Sequence, residues 1–297
     1  MHSLDPIVLT VGLCVKNSER TVKSALESLM RQNYPHGEME IIVVDGQSKD
    51  KTLEIVRNMQ ETVNIRISIF SDGGKGLGKA SQIVVDRALG RHIIFISGDI
   101  VLPKNFLLKQ LNLMERNHSI GAVIPEFEYT KRQKNLMADI QNLLLGAVNT
   151  NLSNGTVFRK EALDEVHGFD TRIKGASEDR ELILRLRLAG WKVTRNSEAR
   201  FSQMRDETSK DIYSRYFWYG YGDHFTHHKH RSSIKVPYWL PPIYFAWGLK
   251  ISLKAYKKYS RKRLFLIPFF CLFASVDWCL GFVSAHLDDY GHLLTAN

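Results

Sequence analysis

The sequence is poor in cysteine. Three occur among 297 residues, Cys14, Cys271 and Cys279, too few for a disulfide framework, and the odd count suits a reducing compartment. The opening Met1-His2-Ser3-Leu4-Asp5-Pro6 lacks a basic stretch followed by an apolar one, so no secretory signal is expected and the chain is expected to stay on the cytoplasmic side. Internal repeats and low-complexity linkers are also missing. With 44% hydrophobic and 24% charged residues, the composition excludes disordered and collagen-like chains. The length exceeds what one core usually fills but is thin for two full domains. The most telling absence is local: from His224 to Val276 there is no acidic residue, while ten basic ones occur.

A net charge of +10 admits nucleic acid, anionic lipid or an anionic small substrate as partner. Residues 201–297 carry 13 Lys and Arg against 7 Asp and Glu, and seven of the basic residues fall between Lys250 and Arg263. Apolar stretches, Val236–Leu249 and Leu264–Ala285, flank that run. A basic run between apolar, aromatic-rich segments reads as a contact with an anionic inner leaflet. Pro237, Pro241 and Pro242 make the first stretch interfacial rather than spanning, and Pro268 and Asp277 interrupt the second. Two crossings would put a basic loop outside, against the positive-inside rule. Shallow insertion is therefore expected, with a single span by the second stretch, or two buried core helices around a solvated loop, as the alternatives.

Up to about residue 200, short β-branched runs alternate with amphipathic stretches, the α/β pattern. Strands are predicted at Ile7–Val15, Ile41–Val44, Ile65–Phe70 and His92–Ser97. Ser18 is expected to cap a helix carrying Val22, Leu26 and Leu29, and Asp50 one carrying Leu53, Val56 and Met59. Further helices are predicted at Leu77–Ala88, Pro103–Arg116, Lys131–Val148 and Glu178–Ala189. The division expected is 1–210 for the α/β domain and 211–297 for a basic and apolar helical region.

In open α/β sheets ligands gather beyond the carboxyl ends of the strands. Asp45 follows Ile41–Val44 there, and Asp99 follows His92–Ser97. Asp45 with Gly46 and the polar residues behind it suits recognition of a base or ribose. Asp99 suits Mg²⁺ or Mn²⁺ bound together with substrate phosphates. Gly73-Gly74-Lys75-Gly76-Leu77-Gly78-Lys79-Ala80 matches the P-loop spacing up to its last residue. Ala80 lacks the hydroxyl that ligates Mg²⁺ in a P-loop. The segment reads instead as a glycine loop beside a nucleotide, with Lys75 and Lys79 available to phosphates. Glu178 and Asp179 open a helix after Ser177, which taken alone is ordinary capping and dipole complementation. His224, His227, His228 and His230, with no cysteine nearby, read as a solvated basic patch rather than a zinc site. One of them is allowed to approach a catalytic metal or diphosphate.

Taken in order, these residues resemble the inverting glycosyltransferases of family 2, which have the GT-A fold. The carriers of the resemblance are Asn17-Ser18-Glu19 and Val44-Asp45-Gly46-Gln47-Ser48-Lys49-Asp50-Lys51-Thr52. Ser97-Gly98-Asp99 follows at the position of D-x-D, then Asn154 through Arg159, Gly168-Phe169-Asp170, and Glu178-Asp179. The resemblance covers the first two-thirds of the chain. Ser97 replaces the first Asp of D-x-D, Ser81-Gln82 stand where the family often has Arg-Asn, and residues 201–205 lie where many members have a His. The Q-x-x-R-W motif of processive members is absent.

The resemblance implies a metal-dependent, non-processive enzyme moving one sugar from a nucleotide-sugar to a hydroxyl or phosphate acceptor, with inversion; the basic, apolar tail adds the expectation that this acceptor is lipid-linked, such as a polyprenyl phosphate or lipid-linked saccharide. It implies Asp179 as catalytic base and Asn17, Glu19, Asp45, Lys75, Lys79, Ser97, Gly98 and Asp99 around the donor. Asp99 would hold the divalent ion, and Glu178, Arg205 and His224 are candidates for the acceptor or diphosphate. The expected location is the cytoplasmic face of the cell membrane, peripheral or monotopic, with no nucleic-acid partner. The alternatives are a nucleic-acid-binding module, invited by the charge and by Tyr216, Phe217, Trp218, Tyr219 and Tyr221, and a catalytically degenerate nucleotide-sugar-binding protein.

Overall fold

A computed structural model describes residues 7–129, 135–148, 153–203, 208–230 and 239–291. The chain forms two compact units. The first comprises 1–128, 151–172 and 179–204, and the second 129–150, 173–178 and 205–297.

The first unit is built on a sheet of strand order β3-β2-β1-β4-β7-β6-β8-β5. Its strands are β1 (Leu9–Val15), β2 (Met39–Asp45), β3 (Arg66–Ser71), β4 (His92–Ser97), β5 (Ile100–Val101), β6 (Ile120–Phe127), β7 (Val157–Arg159) and β8 (Lys192–Gln203). Its helices are α1 (Val22–Met30), α2 (Thr52–Thr62), α3 (Leu77–Arg87), α4 (Phe106–Glu115), α6 (Lys160–Glu165) and α7 (Glu178–Leu188). The second unit contributes α5 (Leu136–Val148), which precedes α6 in the chain, and later α8 (Ser209–Lys229), α9 (Pro241–Tyr259) and α10 (Ile267–Leu287). The four strands foreseen are present within a residue or two, and β2 is buried along its whole length, as a strand covered on both faces requires. Strands β5 to β8 had no clear signal. β7 has only three residues, and β8 alternates charged and apolar positions over an exposed surface.

β1 to β4 run parallel, with β1 between β2 and β4. Strand order reverses at β1, because β2 and β3 extend to one side and β4 lies on the other. That makes the carboxyl ends of β1 and β4 the switch point where an open sheet leaves a crevice. β7 is antiparallel to both β4 and β6, so β6 points the same way as β4, and β8 follows it in parallel. The core beside this sheet joins Ile42, Val44, Val84, Ile93 and Phe95 to Leu182, Ile183 and Leu186 of α7.

Two helix starts differ from the sequence expectation. α1 begins at Val22, after Ser18 has turned its hydroxyl to the Lys16 carbonyl. α2 begins at Thr52, while Asp50 Oδ1 accepts from both the backbone N–H and the hydroxyl of Thr52.

In the second unit, α8 and α10 approach backbone to backbone. A side chain on Gly220 would collide with the Trp278 carbonyl, and one on Gly281 with the Phe217 carbonyl. Trp278 Nε1 donates to Asp223 Oδ2 at 2.9 Å across the same contact. Leu143, Ile251, Leu264, Ile267, Phe270 and Cys271 belong to this unit's own core.

Pro237 lies outside the described residues, and the other prolines read as interruptions are helix starters instead. Pro241 and Pro242 open α9 and Pro268 opens α10, where a missing N–H costs nothing. The basic run is not a loop either: Lys250, Lys254, Lys257 and Lys258 lie on α9, and only Arg261, Lys262 and Arg263 fall in the turn before α10. Lys262–Leu287 is, by length and composition, long and apolar enough to cross a membrane, with a mean hydropathy of 2.0 over its most apolar 18 residues.

Candidate active site

Asp45 ends β2 in register with Val15 of β1 and Ser71 of β3, and is 3% exposed. Its Oδ2 accepts from the Ser48 backbone at 3.0 Å. Its Oδ1 is buried and has no hydrogen-bond partner among the described residues. Such an atom calls for an explanation, and a donor group on a ligand supplies one. A cavity of 170 Å³ opens here, lined by Val44 and Gly46 on either side of Asp45 in sequence and by Lys16, Asp72, Gly74 and Gly76.

The loops after β1 and β2 hold each other through a clasp of side-chain-to-backbone bonds. Asn17 Oδ1 accepts from Lys49 N–H at 2.9 Å and Glu19 Oε2 from Lys51 N–H at 3.0 Å. In return, Ser48 Oγ accepts from Asn17 N–H, Thr52 Oγ1 from Ser18 N–H and Asp50 Oδ2 from Glu19 N–H. Burial works to raise the Asp50 carboxyl, but the hydrogen bonds from Thr52 and the Glu19 backbone outweigh it and hold the group below its ordinary range. The two separate sequence elements are thus one structural device. Asn17 and Glu19 use these oxygens to fix loop geometry.

Asp72, just past β3, went unnoticed in the sequence. Buried at 5% exposure, its carboxylate accepts from Gly74 N–H at 2.6 Å and Gly76 N–H at 3.1 Å. Gly74 and Gly76 sit at φ of 75° and 93°, where a side chain is strained, so the loop needs glycine to close over Asp72. Lys75 rides exposed on this loop. Lys79 does not join it. One turn into α3, it lines a separate recess with Phe70, Ile83, Asp86 and Arg87, which separates it from the Asp45 cavity.

Ser97 ends β4, and Gly98 packs so closely on Val15 and Ser18 that a Cβ would lie 3.1 Å from each. Asp99 then turns toward two oxygen-bearing neighbours. Its Oδ1 accepts from Ser97 Oγ at 2.6 Å, and its Oδ2 from Gln203 Nε2 at 2.7 Å. Ser97 Oγ also lies 3.1 Å from Asn154 Oδ1. Gln203 reaches Asp99 because β5 pairs antiparallel with β8, setting Ile100 opposite Gln203. One carboxylate among neutral oxygens is a hard donor set that fits Mg²⁺ or Mn²⁺ bound with substrate phosphates. Turning the Gln203 amide over would add its Oε1. The position noted as lacking a His is therefore filled, by a residue whose amide serves Asp99.

Asp179 sits in the first turn of α7, its Oδ1 bonded to the Arg180 backbone at 2.7 Å. Topology decides which end of the sheet it occupies. β8 starts at Lys192 beside Ile120, the first residue of β6, so α7 ends near the amino edge. A helix of 11 residues packed on the sheet runs about 16 Å back along it, and its first turn lies toward the carboxyl edge. Asp45, Ser97–Asp99 and Asp179 thus share one edge of the first unit, although 134 positions separate the first from the last.

Two other candidates belong to the second unit. Glu178 is buried at 4% exposure and closes the 173–178 segment of the second unit. His224 is fully buried in the second unit, its Nδ1 2.7 Å from the Tyr290 carbonyl, so the solvated-patch reading fails for it. Arg205 lies outside the described residues. Asn154 and Gln203 were not foreseen as site residues; the signal for Gln203 was the missing His.

The sequence matches Glycosyl transferase family 2 over residues 10–167 and Glycosyl transferase family group 2 over residues 92–281. It is 31% identical over 103 residues to the poly(ribitol-phosphate) beta-N-acetylglucosaminyltransferase TarS of Staphylococcus aureus, covering 35% of this chain and 18% of that one. It is 27% identical over 202 residues to the beta-monoglucosyldiacylglycerol synthase of Trichormus variabilis, covering 62% and 42%. The chain therefore spans less than half the length of these relatives. Among solved structures, the mannosyltransferase PcManGT of Pyrobaculum calidifontis, in complex with GDP-Man and Mn²⁺, superposes with a TM-score of 0.60 at 18% identity over 99% of this chain and 82% of that one. That likeness bears on the fold, which is of the GT-A type.

Proposed function

The chain belongs to glycosyl transferase family 2, and we infer from this that it is a glycosyltransferase. From that premise we propose that it moves a single sugar from a nucleotide-sugar to a lipid-linked hydroxyl or phosphate, with inversion, at the cytoplasmic face of a membrane. In this reading residues 1–210 carry the transfer chemistry and residues 211–297 the membrane contact. The observation that carries it is the shared sheet edge of Asp45, Asp99 and Asp179, with a buried oxygen on Asp45 that has no partner among the described residues.

Asp45 Oδ1 accepts a hydrogen bond from the base or ribose of the donor, and the Asp72-held glycine loop with Lys75 borders the nucleotide. Asp99, with Ser97, Asn154 and Gln203 around it, would hold Mg²⁺ or Mn²⁺, which would supply charge neutralisation to the departing diphosphate, worth several kcal/mol in the transition state. Where the acceptor is a hydroxyl, Asp179 takes its proton as the acceptor oxygen bonds to the anomeric carbon and the bond to the diphosphate breaks; an acceptor phosphate, already ionised, attacks without that proton transfer. A carboxylate at a helix N-terminus is favoured in its ionised form, the form a base requires. The ion in this reading accords with the Mn²⁺ and GDP-Man present in the Pyrobaculum mannosyltransferase structure.

The lipid acceptor is supported by the second unit. Phe269, Phe273, Val276, Leu280, Val283 and Leu287 recur at helical spacing along α10 and are exposed, while Phe270, Cys271, Ala274, Trp278, Gly281 and Ala285 are buried on its other side. On α9, Leu249, Leu253 and Tyr256 are exposed among Lys250, Lys254 and Lys257. Exposed apolar side chains beside lysines suit insertion into an anionic leaflet. The relative named for beta-monoglucosyldiacylglycerol synthesis is consistent with that acceptor class.

The test is a panel of nucleotide-sugars scored by thermal stabilisation with and without Mn²⁺, followed by transfer to a short polyprenyl phosphate. Metal-dependent stabilisation by one donor and a glycosylated lipid product are expected. Retention on DNA or RNA with no response to any donor would contradict the reading.

A further inference from the structure

α8 and α10 bring three imidazoles together at one end of their contact. His224 and His228 are four residues apart on α8 and so share a face, and His286 comes from the last turn of α10. Their ligating nitrogens all lie within 4.8 Å of one another. The two spacings resolved in detail are 3.2 Å between His228 Nε2 and His224 Nε2, and 3.5 Å between His224 Nε2 and His286 Nδ1. Four ligands at Zn–N distances of about 2.0–2.1 Å in a tetrahedron stand about 3.3–3.4 Å apart, which brackets the middle of these values. His224 Nδ1, 2.7 Å from the Tyr290 carbonyl, donates its N–H there and leaves Nε2 with its lone pair toward the other two rings. This outer hydrogen bond is the arrangement that fixes the tautomer and orientation of a metal-bound imidazole.

The surroundings hold that geometry. The Gly220–Trp278 and Gly281–Phe217 contacts lock α8 on α10 about one turn away, and Asp223, next to His224, accepts from Trp278. Burial is graded: His224 is buried, His228 partly so and His286 exposed, which leaves a path for an ion and a solvent-facing fourth position. Three neutral imidazoles suit zinc and other late first-row divalent ions, and differ in kind from the oxygen set around Asp99.

We propose that His224, His228 and His286 form a zinc site that fastens α8 to α10, with the fourth position taken by water. It is separate in chemistry from the ion held at Asp99 and does not depend on the activity proposed above. The sequence gives half of the signal, the i, i+4 histidines; the third ligand stands 58 positions further on.

The experiment uses the full chain, purified without a histidine tag, loaded with Zn²⁺ and desalted. Zinc content and affinity are read by elemental analysis and by competition with a chromophoric chelator. One zinc per wild-type chain is expected, with the thermal transition raised by Zn²⁺. His286→Ala, at an exposed position, should keep the zinc-free transition of the wild type. It should lose the zinc-induced rise and weaken binding by about 100-fold or more, at or beyond the upper end of what outer-shell changes cause. His228→Ala should do the same, and Asp99→Asn should retain the zinc. Less than one zinc per wild-type chain, or equal binding by wild type and His286→Ala, would overturn the proposal. So would loss of zinc in Asp99→Asn.

Discussion

Gln203 donates its amide to Asp99 at 2.7 Å across the β5–β8 pair, joining the last strand of the sheet to the loop after β4. The bond gives a carboxylate placed for a divalent ion a neutral partner that orients it. Gln203→Ala is expected to weaken the Mn²⁺ dependence of donor binding by about 10-fold, since supporting residues of metal sites are typically worth 10- to 100-fold. A Mn²⁺ titration of donor-induced thermal stabilisation measures this. An unchanged titration would show that Gln203 plays no part in metal binding.

Asp72 carries the glycine loop, and its removal tests whether that loop serves the donor. Asp72→Ala takes the acceptor from the N–H groups of Gly74 and Gly76, both exposed, so that water replaces it and about 0.5–1.5 kcal/mol is lost per bond. A lowered melting temperature together with a raised donor KM is expected. A lowered melting temperature with unchanged KM would make Asp72 purely structural.

How much of this was legible beforehand divides along physical lines. β1 to β4 and α1 to α3 announce themselves, because buried parallel strands are continuous apolar runs and the helices between them have one apolar face. Asp45 and Asp99 follow from strand-end placement alone. β7 is too short to carry a period, and β8 is polar on its outward side. Gln203 and Asp72 act through pairings that only folding creates. Asn17 and Glu19 were recognised as an element, but their partners, the N–H groups of Lys49 and Lys51, are backbone and leave no mark in side-chain identity. The histidines misled because a run of His beside Lys229 and Arg231 reads as solvated, whereas Gly220 and Gly281 draw two helices together and bury His224.

A pH effect on stability follows from His92, the first residue of β4, 1% exposed, with Glu115 Oε1 3.3 Å from its Nε2. Burial disfavours the charged ring; Glu115 pulls the other way, and Arg159 and Arg91 add to the burial effect, so the pKa falls from 6.5 to about 4. Between those values the unfolded chain binds the extra proton. The contribution of about 3 kcal/mol is therefore complete above pH 6.5 and lost as pH falls toward 4. Urea unfolding of wild type and His92→Gln at pH 7 and pH 5 should show a steeper loss in the wild type. Equal losses would count against a neutral buried His92.

The apolar face of α10 provides a separate test. Phe273 and Leu280 are 59% and 49% exposed, so Phe273→Glu with Leu280→Glu should leave packing and donor binding intact. Flotation with anionic vesicles should drop several-fold, as should transfer to a membrane-borne acceptor. Undiminished flotation would remove α10 from the membrane contact.

The most direct test of the account is Asp179→Asn, assayed for donor binding and for transfer to a hydroxyl-bearing acceptor on the same preparation. General-base catalysis contributes about 10²- to 10⁴-fold. The expected result is transfer reduced by that range, with nucleotide-sugar affinity in the presence of Mn²⁺ unchanged. Transfer at the wild-type rate would contradict the claim that Asp179, at the same sheet edge as Asp45 and Asp99, takes the acceptor proton.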